Sequence, residues 1–251
     1  MDLHAAQLCS KLSVIAYKDN TNEAHDDFLD LGFNHIQFFE YDSSQGYAIH
    51  NEKEIYIVYR GTEMDELKDN LRNGMFWPTH GLKQGNVHSG FALATDQIWP
   101  QIENYMKHEI SLYGMEKNVT FCGHSLGGAM AIISAVRSDY IAQIYTFGAP
   151  RCGNAEFCKN TKSRTYRITN RHDIIPLILP PFGYKHGGIE YRLWHGKIIE
   201  IPTYGASWKI QLKVGWAQVL KFRWWRSLIG DHSSILYRDR LAEFKPENFK
   251  G

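Results

Sequence analysis

The stretch NVTFCGHSLGGAMAIISAVRS, residues 118–138, decides the fold. Val119 to Cys122 is a short apolar run and reads as a buried strand. From Gly128 onward the residues are small and apolar with frequent alanine, which reads as a helix. Between them, Gly123-His124-Ser125-Leu126-Gly127 fits G-x-S-x-G, a serine held on a sharp strand-to-helix turn. The spacing has a mechanical cause. Side chains two before and two after the serine would collide with the neighbouring strand and helix, and glycine removes them. The hydroxyl then projects at the C-terminal edge of a sheet, where the helix start points its amides at a reacting oxygen. The five-residue pattern is also met by a glycine-rich turn with an idle serine. The flanking strand and helix make it specific.

Working outward, residues 3–17 space Leu3, Ala6, Leu8, Leu12, Ile15 and Ala16 mostly as a helix. NHIQFFEY and QGYAIH read as strands, and EIYIVYRGT as a strand buried on both faces. Residues 63–87 run from acidic and polar to apolar at Met75, Phe76 and Trp77, then into a turn-rich stretch from Pro78 to Gly85. Residues 91–113 repeat Phe91, Leu93, Ile98, Ile102, Tyr105 and Met106 on one helical face. IAQIYTFGAP and RTYRITN follow as further buried strands. This alternation predicts a mainly parallel central sheet with helices on both faces, and the serine turn between strand and helix makes the expected form an α/β-hydrolase fold. No linker or repeat divides residues 1–251, so one domain is expected.

Composition bounds the partners. Lys+Arg 28 against Asp+Glu 27 leaves a formal charge of +1, so no general attraction to nucleic acid is expected. Hydrophobic residues at 43% allow a large core. The four cysteines form no CxxC pair, and neither a metal site nor a disulfide framework is expected, although Cys152 and Cys158 are close enough in sequence to pair under oxidising conditions. The opening MDLHAAQLCSKLSVIAYKDN lacks a basic start before a long apolar run, so a cytoplasmic location is the default expectation, with signal-independent export as the alternative. No apolar run is long enough for a transmembrane helix.

A serine hydroxyl is a weak nucleophile until a base takes its proton, and an acid fixes the tautomer of that base. In this fold the order is Ser, acid, His. Asp173 lies in the loop just past the strand RTYRITN and fits the acid. Asp139 reads as solvated surface, and Glu190 sits in a hairpin-like stretch. Among twelve histidines, His172 adjoins the acid, and His186 and His195 flank the hairpin. His232, in the late loop GDHSSIL, fits the base. Its neighbour Asp231 competes with Asp173 for the ring, and geometry must choose between them. No cofactor or metal is required by such a set.

IVYRGT, VHSGF, VTFCGHSLGGAMA, YTFGAPRCGN, RITNRHDIIPLILPP and GDHSSIL, in that order over roughly residues 55–236, resemble the class 3 lipase family, which includes the filamentous-fungal triacylglycerol lipases. The resemblance implies Ser125, Asp173 and His232 as the catalytic set. It implies Thr62 and Leu126 as oxyanion donors; by itself Thr62 reads as a strand-end threonine. The implied substrate is a lipid ester, with phospholipase A1 or small-ester activity as alternatives and a non-catalytic binding protein as the alternative of another class. It also places a lid in 63–86, where Leu67, Leu71, Met75 and Phe76 face the site or else belong to the core.

Residues 201–230 hold Lys209, Lys213, Lys221, Arg223 and Arg226 with no acid, interleaved with Trp208, Trp216, Trp224 and Trp225. Two readings stand: peripheral contact with a lipid interface, or a cap over the acyl pocket or a packing helix whose basic face is solvated.

Overall fold

The computed structural model describes residues 1–62, 78–82, 85–113, 118–161, 164–179, 183–201 and 230–245. Helix α1 (Leu3–Ile15) is started by Asp2, whose side chain accepts from the Ala5 amide. Helix α2 (Asn22–Asp30) is capped the same way by Thr21 through Ala24. It buries only Ala24 and Phe28, one helical turn apart, too thin a stripe to stand out in so polar a segment.

The strands β1 (His35–Tyr41), β2 (Ser44–His50) and β3 (Glu54–Tyr59) form an antiparallel meander. After β4 (Pro78–Leu82) and β5 (Gly85–His88) comes the long helix α3 (Ser89–Leu112). Next are β6 (Asn118–His124), α4 (Leu126–Arg137), β7 (Ala142–Phe147), α5 (Ala155–Thr161) and β8 (Thr165–Asn170). The hairpin β9 (Ile189–Trp194) and β10 (Lys197–Ile201) follows, and α6 (Ser234–Ala242) is last. The central sheet runs β1-β2-β3-β6-β7-β8-β9-β10, parallel from β3 through β9 and antiparallel at both margins.

Side-chain alternation explains why both faces are covered. Tyr56, Val58 and Cys122 face one way and pack with α1, α2 and α6 through Leu12, Phe28 and Tyr237. Ile55, Ile57, Tyr59 and Phe121 face the other way, against Ile98, Ile102 and Met106 of α3 and Met130 of α4. Each such side chain contributes about 1.5–3 kcal/mol on leaving water, so the parallel centre is the stable platform on which the loops beyond the strand ends are held.

The turn-rich reading of Pro78 to Gly85 needs correction: residues 78–82 and 85–88 pair as a short antiparallel hairpin. Proline at the first position of a strand leaves the ladder intact, so its presence did not exclude pairing. Of the expected lid, residues 63–77 and 83–84 lie outside the described residues. So does the basic, tryptophan-bearing stretch apart from Ile201 and Gly230. All four cysteines are free and buried, so Cys152 and Cys158 are thiols.

Candidate active site

The strand β6 ends against β3 and β7, and the chain must turn within one residue to enter α4. Ser125 makes that turn at φ 57°, ψ −125°, a left-handed backbone that a non-glycine residue adopts only under strain. Its amide donates to Phe147 O at 2.9 Å, which ties the turn to β7. A Cβ at Gly123 would lie 2.4 Å from the Gly127 carbonyl carbon, so the helix start can fold back on the strand only over glycine. Ser125 is 1% exposed, and its Oγ is buried with no hydrogen-bond partner among the described residues.

Asp173 lies just past β8 with its side chain fully buried. A buried carboxylate is tolerated only when its lone pairs are met, and three donors meet these. His232 Nδ1 donates to Oδ2 at 2.7 Å, Tyr237 Oη to the same oxygen at 2.7 Å, and the Ile175 amide to Oδ1 at 2.9 Å. Tyr237 Oη accepts from the Asn170 amide at 3.0 Å, which leaves its own proton for Asp173. Burial, then the Asp173 charge, push the Tyr237 phenol far above its ordinary range, so it stays a donor. With Nδ1–H committed to Asp173, the second nitrogen of neutral His232, Nε2, carries the free lone pair. That atom too is buried without a partner among the described residues.

The competing acid is accounted for elsewhere. Asp231 pairs with Arg240 at 3.0 Å and accepts weakly from the His172 amide at 3.4 Å. Its carboxylate is held by these partners, while Nδ1 of the ring meets Asp173. Among the residues set aside, Asp139 is exposed, His172 packs edge-on against Trp194, and His195 forms the β9–β10 turn. Glu190 is buried in an ion cluster with Arg167, Arg192 and Thr169. Next to that cluster Arg151, lowered to about 10 by burial, donates to the carbonyls of Leu177 and Leu179 beyond the Asp173 loop.

Sequence reading passed over His124 as the variable residue of the motif. Its Nε2 donates to the His232 carbonyl at 2.5 Å, and its Nδ1 accepts from Tyr17 Oη at 2.8 Å. The two histidine rings stand 4.5 Å apart. His124 therefore ties the loop that presents His232 to the residue preceding Ser125. Tyr237 was also missed, since nothing local distinguishes it from an ordinary core aromatic. Thr62 is half-buried just past β3, and Leu126 is the first residue of α4. A Cβ on Gly61 would lie 3.3 Å from Ser125 Cβ, so the chain entering Thr62 runs alongside the serine.

Two buried histidines set a pH dependence of stability. Burial holds His124 and His186 well below the ordinary value of 6.5; the His232 ring close by further disfavours a proton on the first, and the Arg167 and Arg151 charges on the second. Below that value the unfolded chain binds protons that the folded chain refuses, so stability falls as pH falls. Each group contributes a slope of up to about 1.4 kcal/mol per pH unit. The lowered carboxyls of Glu109 and Glu190 act in the same direction, but below their ordinary 4.5. Urea midpoints measured downward from neutral pH should therefore drop before any carboxylate titrates; a flat profile would contradict the neutral burial of these rings.

The family model for class 3 lipases matches residues 56–182, from β3 past the Asp173 loop. The chain belongs to the class 3 lipase family. Among relatives, this class 3 lipase chain is 34% identical over 160 residues to the secreted mono- and diacylglycerol lipase 1 of Fusarium solani, covering 58% of this chain and 46% of that protein. It is 28% identical over 208 residues to phospholipase A1-II 1 of Oryza sativa subsp. indica, covering 70% and 52%. The chain thus spans about half the length of the curated relatives it matches. A solved triacylglycerol lipase, whose catalytic centre is described as a serine protease triad, superposes with a TM-score of 0.70 at 23% identity over 84% of this chain and 89% of that one. The Rhizomucor miehei lipase in its propeptide complex gives 0.66 at 25% identity, over 80% and 71%.

These relatives correct the expected cytoplasmic location. The Fusarium protein is by name secreted, so the likeness gives no support to a cytoplasmic default. The expectation had rested on the pattern of the opening residues. The fold carries no compartment signal, because a buried core and a satisfied site are equally stable on either side of a membrane.

Proposed function

We propose that this chain is a serine hydrolase of lipid carboxylic esters, with Ser125 as nucleophile, His232 as base and Asp173 as its orienting acid. The observation that carries this reading is the Asp173–His232 hydrogen bond of 2.7 Å, which leaves Nε2 as the basic nitrogen, buried and unpartnered among the described residues as is the Oγ of the strained Ser125. In the first step Nε2 takes the Ser125 proton as Oγ attacks the ester carbonyl. The Thr62 and Leu126 amides receive the oxyanion, each contributing roughly 2.7–4 kcal/mol because charge reaches that oxygen only in the transition state. The imidazolium, stabilised by Asp173, then protonates the departing alcohol. Water, deprotonated by the same nitrogen, releases the acid and restores the serine. The proposed domain is a single unit spanning residues 1–251.

Support for a lipid ester comes from the family, whose named members act on acylglycerols and, in the rice relative, bear the name phospholipase A1. The phospholipase relative aligns over more of this chain than the Fusarium lipase does, and it favours phospholipid as the second reading. Fluorophosphonate should label one residue, Ser125. Rates on diacylglycerol, triacylglycerol and phosphatidylcholine of equal acyl length should then rank the two readings. Absence of labelling together with no hydrolysis of any of the three would leave only a binding role.

Gly148 offers a subtler test of how tightly the site is held. It sits at φ +62°, and a Cβ there would lie 2.7 Å from Asp173 Oδ2 and 2.9 Å from His232 Nδ1. The alanine variant pays about 1–2 kcal/mol for the left-handed backbone. It must also push the acid–base pair aside, and a misplacement near 1 Å costs about 10²-fold in rate. Gly148→Ala is expected to lower kcat by that order with KM little changed. Unchanged kcat would mean the pair has slack that these distances deny.

A further inference from the structure

At the edge of the sheet opposite Ser125 lies a second cluster of reactive side chains. His35 opens β1 and His50 closes β2, and the two are direct register partners. Because β2 is antiparallel to β3, His50 pairs with Ile55 at the start of β3, whereas Ser125 follows β6 at the end where Gly123 pairs with Tyr59. The last turn of α3 brings Glu109 over the two histidines. His35, His50 and Glu109 each offer one ligand atom, and the three atoms lie within 4.8 Å of one another.

We propose that His35, His50 and Glu109 form a binding site for a divalent transition cation of the zinc type. Two imidazoles and one carboxylate suit such an ion, with bonds of about 2.0–2.2 Å and therefore ligand atoms about 3.3 Å apart. The His50 Nε2 to Glu109 Oε2 separation is already 3.1 Å. His50 is fully buried, and its other nitrogen faces the Asn51 carbonyl at 3.3 Å. A buried ring with oxygen opposite both nitrogens needs two protons, or one proton and a metal. A backbone carbonyl taking Nδ1–H is the usual orienting partner of a ligating imidazole.

The two histidine rings now stack 4.2 Å apart and 5° from parallel. Ligation requires them to tilt, since each lone pair lies in its ring plane. His35 supplies the freedom, being only half-buried and held by Tyr113 Oη at 3.1 Å. The fourth position falls to water or to His108, whose exposed ring contacts the other Glu109 oxygen at 3.0 Å. A metal there ties the β1–β2 edge to the end of α3 and leaves Ser125 untouched.

The test is a titration of the chelator-stripped full chain with Co²⁺, read by the visible d–d bands of a four-coordinate site, followed by competition with Zn²⁺. One equivalent should saturate the band, zinc should abolish it, and zinc should raise Tm. His35→Gln, at a half-buried position that spares the fold, and Glu109→Gln should each weaken Co²⁺ binding by at least about ten-fold. His195→Asn, in the distant hairpin turn, should leave it unchanged. A missing saturable band, or one that His35→Gln leaves at full affinity, overturns the proposal; the His50–Glu109 pair is then held by a proton.

Discussion

Ser125→Ala is expected to lower kcat on ester substrates by on the order of 10⁶-fold, and His232→Ala by a similar factor. The reason lies in how the two groups share one task. The hydroxyl attacks only if Nε2 removes its proton, and neither Oγ nor Nε2 is held by another partner among the described residues. Losing either leaves the other idle, so the double variant should be no slower than the worse single one. What survives is the background from the oxyanion amides and substrate binding. Purified protein assayed on p-nitrophenyl esters of short and medium chain gives the numbers. Retention of wild-type rates by either variant, or additive losses in the double, would falsify the shared role. Folding is separable: alanine at 125 removes only the Oγ, so circular dichroism and Tm should stay close to the parent.

Asp173→Asn is expected to cost about 10⁴-fold in kcat through the wrong tautomer of His232. In the native site Oδ2 accepts from both His232 and Tyr237, and Oδ1 accepts from the Ile175 amide. An asparagine has one oxygen for these two positions. If its amide nitrogen takes the Oδ2 place, it donates to Nδ1, and the proton of the ring moves to Nε2 where the base must act. If the nitrogen takes the Oδ1 place, it confronts the Ile175 N–H, and a buried donor is stranded at about 1–3 kcal/mol. Either arrangement disables the base or destabilises the loop. The rate should recover in part at high pH, where hydroxide replaces the missing base. A variant within ten-fold of the parent at neutral pH would show that Asp173 does not orient the ring.

Reading the sequence worked best where the physics is local. The turn around Ser125 is legible because its glycines answer collisions between residues two or three apart. The strand EIYIVYRGT is legible because apolar residues at consecutive positions must face both sides of a sheet. Pro78 to Gly85 misled for the same reason: its turn-forming residues are real, but pairing with β5 overrode them. The segment α2 went unread because two buried residues make too weak a periodic signal.

The sequence alone determined the α/β order of elements, the serine on its turn, and the candidate acid and base in chain order, because strand, turn and helix preferences act over a few residues. Only the tertiary structure decided which acid meets the ring, for the Asp173–His232 contact spans 59 positions in the chain. It alone revealed Tyr237 on the same carboxylate oxygen across 64 positions, and His124 on the His232 backbone across 108. It also brought His35 and His50 of the first hairpin together with Glu109, 74 and 59 residues later in the chain. Such contacts depend on how the sheet orders its strands and where the helices land on it, and no short window of sequence carries that information.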